Sequence, residues 1–428
     1  SLLNTVYKIF SKILLSRLSP YTEAIIDEQQ SGFMKGRSTI DQIFLLKQAI
    51  SKYYEFNKGF YGIFIDFKKA YDSIDRNALF KKMEKHGIPQ KLIRLSKMCI
   101  SDSKAKIRID GEMSENFLIN TGVRQGDGIS PTLFNLAVEE ALQKVKRLQR
   151  GVKLGVDLNV MAFADDVVIL SESLDDLSTL TKSFIKECQT VGLELNEDKT
   201  KIIHFGRHAG NVRTNLSIDN YSIGCVESFK YLGVTINSKN VEDIEIQSKL
   251  ANANRCLGAC TKLFTSRLLS QCSKIRIYKT IIQPVLMYGS ETWTLTKKNE
   301  GRLIVFENKV LRKIFGPICD EGVWRIRKNR ELRNVYQDPD IVALVKAKRI
   351  SWLGHVHRRQ EGTRLKEVYQ AVPAGRRPLG RPKIRWCDQV VEDVTRCGGS
   401  VDLAEDRVAW KRLIDEAKNR LRFVTPRQ

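Results

Sequence analysis

Asp165 and Asp166 sit side by side in the run Met161-Ala162-Phe163-Ala164-Asp165-Asp166-Val167-Val168-Ile169-Leu170, with apolar residues on both flanks. A stretch so apolar and β-branched predicts a half-buried strand, or a hairpin whose tip carries the acids. Ionised carboxylates are rarely neighbours in such a place, because each repels the other and each resists leaving water. A divalent cation removes both objections, so the tip is a place to look for Mg²⁺ and phosphate chemistry. The bland alternative is a turn: Asp-Asp is common at hairpin tips that face solvent and need no metal. A third carboxylate tips the balance. Asp66 ends an apolar run at residues 59–67 that predicts a buried strand. If that strand lies beside the hairpin in one sheet, three carboxylates converge at one edge.

Charge points to the partner. Lys and Arg outnumber Asp and Glu by 72 to 49, a net of +23, and such an excess implies a polyanion, most often nucleic acid. Residues 301–428 carry 29 basic against 16 acidic side chains. Plain solubility is the competing account of such a surface. The 428 residues suffice for two or three domains, and a first residue of Ser1 rather than Met reads as a piece of a longer protein. Nine cysteines, odd in number and scattered, suit a reducing compartment better than a disulfide framework. No apolar run reaches membrane-spanning length, so no membrane association is expected. Residues 6–18 lack acids and faintly resemble a transit peptide. Their apolar positions 6, 9, 10, 13, 14 and 18 predict instead a helix packed on a core.

The remaining pattern predicts an α+β domain with helices on one face of an antiparallel sheet. A Gly-punctuated basic loop over residues 31–39 precedes a helix over 39–54. Asp75 is placed to cap a helix over 76–86, which Gly87 and Pro89 close. Residues 106–111 alternate and then turn, as a hairpin does. Ser130-Pro131 begins a helix to about Leu148, and another covers about 175–191. Strands are expected over 201–205, 216–223 and 229–236. Beyond Val241 the periodicity is helical.

These segments carry a family pattern. Phe64-Ile65-Asp66-Phe67-Lys68-Lys69-Ala70-Tyr71-Asp72 resembles motif A of reverse transcriptases, and Gly122-Val123-Arg124-Gln125-Gly126-Asp127-Gly128-Ile129-Ser130-Pro131 resembles motif B. Phe163-Ala164-Asp165-Asp166 matches motif C in the form common among non-LTR retrotransposons. Motif D is similar to Gly192-Leu193-Glu194-Leu195-Asn196-Glu197-Asp198-Lys199-Thr200, and the primer-grip motif E to Phe229-Lys230-Tyr231-Leu232-Gly233. Gly32-Phe33-Met34-Lys35-Gly36-Arg37-Ser38-Thr39 resembles the family's fingers motif. Six motifs in family order over residues 1–236 are far more specific than any one of them. Trp352-Leu353-Gly354-His355 and Gly380-Arg381-Pro382-Lys383-Ile384-Arg385-Trp386 also resemble C-terminal segments of such elements.

The resemblance implies an RNA-directed DNA polymerase of a LINE-like element with the right-hand fold of fingers, palm and thumb. Residues 1–58 are partial fingers and 59–240 the palm with remaining fingers elements. Residues 241–316 are a helical thumb-like region and 317–428 a basic nucleic-acid-binding region. Asp66, Asp165 and Asp166 would hold two Mg²⁺ ions (Mn²⁺ is a possible substitute), with Asp165 the firmer ligand. Tyr71 takes the position of the steric gate that rejects a 2′-hydroxyl; an aromatic at a strand–helix junction is its structural alternative. Phe67, Gln125 and Gly126 would line the nucleotide pocket. Lys35 and Arg37 would meet the triphosphate, Arg37 being the stronger candidate. Lys199 would protonate the leaving pyrophosphate. Tyr231, Leu232 and Gly233 form the primer grip, and Lys249, Arg255, Lys262 and Arg267 are available for phosphates in the thumb. The implied partners are an RNA template, a DNA primer or target, and deoxynucleoside triphosphates. The implied setting is intracellular, a cytoplasmic ribonucleoprotein or the nucleus.

The family's endonuclease and the first part of the fingers are missing from this sequence. His355, His357, Cys387 and Cys397 lack zinc-knuckle spacing, so no zinc is expected. Asp72 and Asp75 suit structural roles. Two other readings stand beside the polymerase: a domesticated or decayed nucleic-acid-binding protein without polymerase activity, and a maturase of the related intron-encoded group.

Overall fold

The structure is a computed structural model that describes residues 3–101, 103–207, 215–379 and 384–423. The basic stretch Gly380-Arg381-Pro382-Lys383 lies outside them. The chain divides into two compact units, Ser1–Leu232 with Gln370–Pro378, and Gly233–Tyr369 with Leu379–Gln428.

The first unit is built on strands β1 (Phe60–Ile65), β2 (Val160–Phe163), β3 (Asp166–Ser171) and β4 (Lys201–Phe205). They form one antiparallel sheet in the order β4-β1-β3-β2. Its helices include α1 (Thr5–Ile25), α2 (Thr39–Glu55), α3 (Arg76–Lys85), α4 (Ser130–Leu148) and α5 (Leu174–Gln189). Their starts follow the chemistry of the cap residues. Ser38 and Asp41 form a reciprocal capping box on α2, Asp75 accepts from Ala78 N–H at 2.8 Å on α3, and Ser173 accepts from Asp176 N–H at 3.1 Å on α5.

Alternation along β1 sends successive side chains to opposite faces of the sheet. Ile63 and Ile65 join the core with Phe134, Ala137, Leu177 and Phe184 from α4 and α5. Phe64 turns the other way, its ring 4.6 Å from Phe229 and 5.5 Å from Tyr231. Each such side chain taken fully from water contributes about 1.5–3 kcal/mol. The segment Gln370–Pro378 is fastened to the end of α2 and its C-cap. Lys52 Nζ donates to the Ala371 carbonyl at 2.5 Å, Arg377 pairs with Glu55, and its guanidinium lies 5.7 Å from the Phe56 ring.

Three expectations are corrected. Helix α1 forms, but Val6, Ile9 and Ile13 are 75%, 57% and 58% exposed. The packed stripe is Ser11, Leu14, Leu18 and Thr22, with Tyr7 half-buried against the same core. Leu14 and Leu18 of the expected stripe are therefore packed, while its N-terminal positions Val6, Ile9 and Ile13 stay in solvent. The expected strand over 216–223 is a hairpin of Leu216–Ile218 and Tyr221–Ile223, broken by Asp219 at φ +49°. The strand over 229–236 likewise divides into Ser228–Tyr231 and Val234–Asn237.

The second unit is mainly helical, with α6 (Glu242–Ala259), α7 (Lys297–Phe315), α8 (Ile341–His357), α9 (Trp386–Arg396) and α10 (Arg407–Arg420). Trp293, Leu303, Phe306, Val310 and Val345 make its core. The Trp352-Leu353-Gly354-His355 segment lies on α8, where the Trp410 indole of α10 covers Gly354 and donates to the Ile350 carbonyl at 3.2 Å. Buried charges are paired, as desolvation requires: Lys346 with Glu300 at 2.9 Å and Arg333 with the fully buried Glu307 at 2.6 Å. Lys249 is corrected by the same rule. It is buried, donates to the Gly233 carbonyl at 2.7 Å and lies 3.5 Å from Glu245, so it is not presented to a phosphate. No helix among the described residues is long and apolar enough to cross a membrane.

Candidate active site

Strand register brings the acids to one sheet edge. Ile65 pairs with Val167, which sets Asp66, one residue on, beside the start of β3. Phe163 pairs with Asp166, leaving Ala164 and Asp165 as a two-residue hairpin loop. Such loops demand a positive φ, and Ala164 supplies it at +55°. Asp66 is held through its backbone by the motif D segment. Thr200 Oγ1 accepts from Asp66 N–H at 3.2 Å, Asn196 N–H donates to the Asp66 carbonyl at 2.8 Å, and Phe67 bridges Leu195.

Burial and repulsion between carboxylates set the electrostatics of the edge. Asp166 opens to solvent, yet desolvation by the surrounding walls, with the charges of Asp165 and Asp66, pushes its carboxyl up to about 6. Asp165 is raised by burial and by Asp66. Asp66 Oδ2 is buried with no hydrogen-bond partner, its nearest cation being Lys199 Nζ at 3.8 Å. Among the described residues no group of three His, Cys, Asp or Glu side chains is arranged to hold a metal by itself. The donor set nevertheless fits a hard divalent ion, which takes carboxylate oxygens and would relieve this repulsion.

A cleft of about 710 Å³ opens over the aspartates, lined by Phe33, Tyr71, Gln125, Gly126, Ser130, Phe163, Asp165 and Asp166 among others. The Tyr71 ring stacks on Phe134 with centroids 4.8 Å apart. Its backbone is tied to the motif B loop, since Val123 N–H donates to the Tyr71 carbonyl at 2.8 Å. Burial raises the Tyr71 phenol, and the Asp165 charge adds to the rise, so the side chain stays neutral. Gly126 stands at φ +89°, a conformation other residues adopt only with strain. Gln125 lies beside Asp72, its Nε2 3.5 Å from the carboxylate.

Other predicted residues lie elsewhere. Phe67 is 7% exposed and packs on Phe184 in the core, not in the cleft wall. The Arg37 guanidinium donates to the carbonyls of Ile26, Asp27 and Gln30, whereas Lys35 is exposed. Tyr231 is buried against Phe64, and Leu232 and Gly233 turn at φ +45° and +77°.

The sequence reading passed over Gln30, Asn135 and Thr200. All three are fully buried polar side chains whose hydrogen bonds go to backbone at the site's edges. Asn135 donates to the Gly32 carbonyl at 2.7 Å. The signal was present as polar residues inside apolar segments, where a buried amide or hydroxyl must find a partner.

The model of the family described as reverse transcriptase (RNA-dependent DNA polymerase) matches residues 1–236. Over 275 residues the chain is 27% identical to a putative uncharacterized transposon-derived protein of Caenorhabditis elegans, covering 61% of this chain and 96% of that protein. It is 27% identical over 286 residues to the retrovirus-related Pol polyprotein from type-1 retrotransposable element R2 of Popillia japonica, covering 65% of this chain and 46% of that protein. The structure of apo telomerase from Candida tropicalis aligns with a TM-score of 0.42 at 13% identity, over 86% of this chain and 61% of that one. With its motifs A to E in order and more than half its length matched, the chain belongs to the reverse transcriptase (RNA-dependent DNA polymerase) family.

Proposed function

We propose that this chain adds deoxynucleotides to a primer 3′-hydroxyl on an RNA template by two-metal nucleotidyl transfer, as part of retrotransposition. One observation carries the reading: Asp66, Asp165 and Asp166 meet at one sheet edge with their charges opposed, and Asp165 and Asp166 line a cleft shared with Tyr71, Gln125 and Gly126. Asp66, Asp165 and Asp166 would hold Mg²⁺, or Mn²⁺ in its place. The ions when bound would acidify the attacking hydroxyl and neutralise charge on the phosphates.

The chain's own residues would do the rest. Tyr71, braced by Phe134, sets the size of the sugar site and leaves no room for a 2′-hydroxyl. Gly126 lets backbone approach the nucleotide where a side chain would intrude. Lys35, exposed in the loop before α2, would meet the triphosphate, and Lys199, exposed beside Asp66, would give its proton to the departing pyrophosphate. Residues 229–233 would hold the primer end. Residues 241–316, in the second unit, would act as a thumb, and the basic residues 317–428 would bind nucleic-acid phosphates. Arg255, Lys262 and Arg267 are exposed there.

The test is primer extension on a homopolymeric RNA template with Asp165→Asn as control. Mg²⁺- or Mn²⁺-dependent incorporation that vanishes in the variant is expected. Incorporation by both proteins, or by neither with either ion, rejects the polymerase reading.

A further inference from the structure

Gln30 is fully buried where residues 29–31 run beside β2. Ala162 N–H donates to the Gln29 carbonyl and Ser31 N–H to the Ala162 carbonyl, both at 2.8 Å. The Gln30 carboxamide reaches past that strand to the hairpin loop. Its Oε1 accepts from Ala164 N–H at 2.7 Å and from Gly32 N–H at 2.8 Å, while its Nε2 donates to the Ala164 carbonyl at 3.2 Å. One side chain therefore takes up both backbone groups of the residue that precedes Asp165. Ala164 is itself 3% exposed and sits in the left-handed region, so water is not available to do the same work. A left-handed L-residue costs roughly 1–2 kcal/mol and persists only where its surroundings hold it. The carboxamide has the required chemistry: Glu has no donor, Met has neither group, and Asn is one methylene shorter. Arg37 completes the brace by donating to the carbonyls of Gln30 and Asp27.

We propose that Gln30 is a positioning residue for Asp165: by holding both backbone groups of Ala164 it fixes the hairpin loop and so the direction of the carboxylate. Only the kinetic part of its test rests on the polymerase reading above. Gln30→Met keeps the volume and removes all three side-chain hydrogen bonds. Gln30→Glu keeps the two accepted bonds, loses the donated one, and carries the test should the Met variant fail to fold.

Hydrogen exchange of the peptide spanning 163–166 and steady-state primer extension are measured on the full chain. For Gln30→Met, exchange at the hairpin is expected to quicken at least tenfold while β1 and β4 keep parental rates. The kcat is expected to fall about 100-fold, the scale of an ångström's misplacement of a reacting group. KM for the nucleotide should stay within about threefold, with Gln30→Glu intermediate in every measure. Unchanged hairpin exchange, a kcat within twofold of the parent, or uniform loosening of the whole sheet each overturns the proposal. A parent chain that incorporates no nucleotide rejects the polymerase reading instead, and the exchange measurement then decides the role of Gln30 alone.

Discussion

Replacing Gly32 by Ala tests how tightly the segment around Gly32 sets the Asp165 hairpin. A Cβ on Gly32 would lie 2.2 Å from Ala164 N, 2.9 Å from the Phe163 carbonyl carbon and 3.0 Å from Ala164 Cα. All three atoms are backbone, so no rotamer change relieves the clash. Bringing the shortest distance from 2.2 Å to a tolerable 3.0 Å requires a shift of about 0.8 Å. The Gly32 segment resists moving because Asn135 and Gln30 both hold Gly32, so the hairpin tip must give way. Overpacking of this kind costs about 1–3 kcal/mol, which for a unit of this size lowers Tm by roughly 3–10 °C. The displaced tip carries Asp165, and a shift approaching 1 Å predicts a kcat lower by about 10- to 100-fold. Affinity for an RNA–DNA duplex should stay within about twofold, since no exposed cation is touched. Differential scanning fluorimetry and single-turnover primer extension read the two effects. A variant with parental Tm and kcat would refute the reasoning; a lower Tm with parental kcat per folded molecule would show that the Gly32 segment yields and the hairpin does not.

Asp166→Asn is expected to raise Tm at pH 7.5. The folded carboxyl titrates near 6 against about 3.9 when unfolded, so ionisation costs stability as pH rises through that window, and the gain should disappear by about pH 4; equal Tm differences at both pH values would contradict this. Mg²⁺ is expected to raise the parent's Tm at pH 7.5 and to have less effect in Asp165→Asn, read by the same melting curves. Tyr71→Ala should increase ribonucleotide incorporation relative to deoxynucleotide at least tenfold, within the roughly 1–3 kcal/mol that pocket shape supplies, while Tyr71→Phe keeps the parental ratio in competition assays. Gly354→Ala would set a Cβ 2.2 Å from Trp410 Nε1 and should destabilise the second unit by about 1–3 kcal/mol, visible in its melting transition.

Several features were legible without tertiary information because their causes are local. Asp75 caps its helix through an atom three residues away, and the hairpin at Asp110-Gly111 needs only its own positive φ angles. The Asp165-Asp166 tip was equally visible, since two acids between apolar flanks describe the end of a hairpin. What failed were choices between equivalent local patterns. Val6, Ile9 and Ile13 have the spacing of a packed stripe and stay in solvent, because the core meets α1 along Leu14 and Leu18. Phe67 and Arg37 sit inside motifs, and motif membership does not say which way a side chain points: Phe67 faces Phe184 and Arg37 faces carbonyls.

The sequence by itself determined the family and the order of the chemical residues, both of which follow from residue identity and short-range spacing. Tertiary structure alone decided that Asp66 and Asp165, 99 residues apart, share one sheet edge. It also decided that Gln30 closes the hairpin loop that carries Asp165. That pairing depends on strand order and on buried backbone groups seeking partners, and no local rule announces where those partners are.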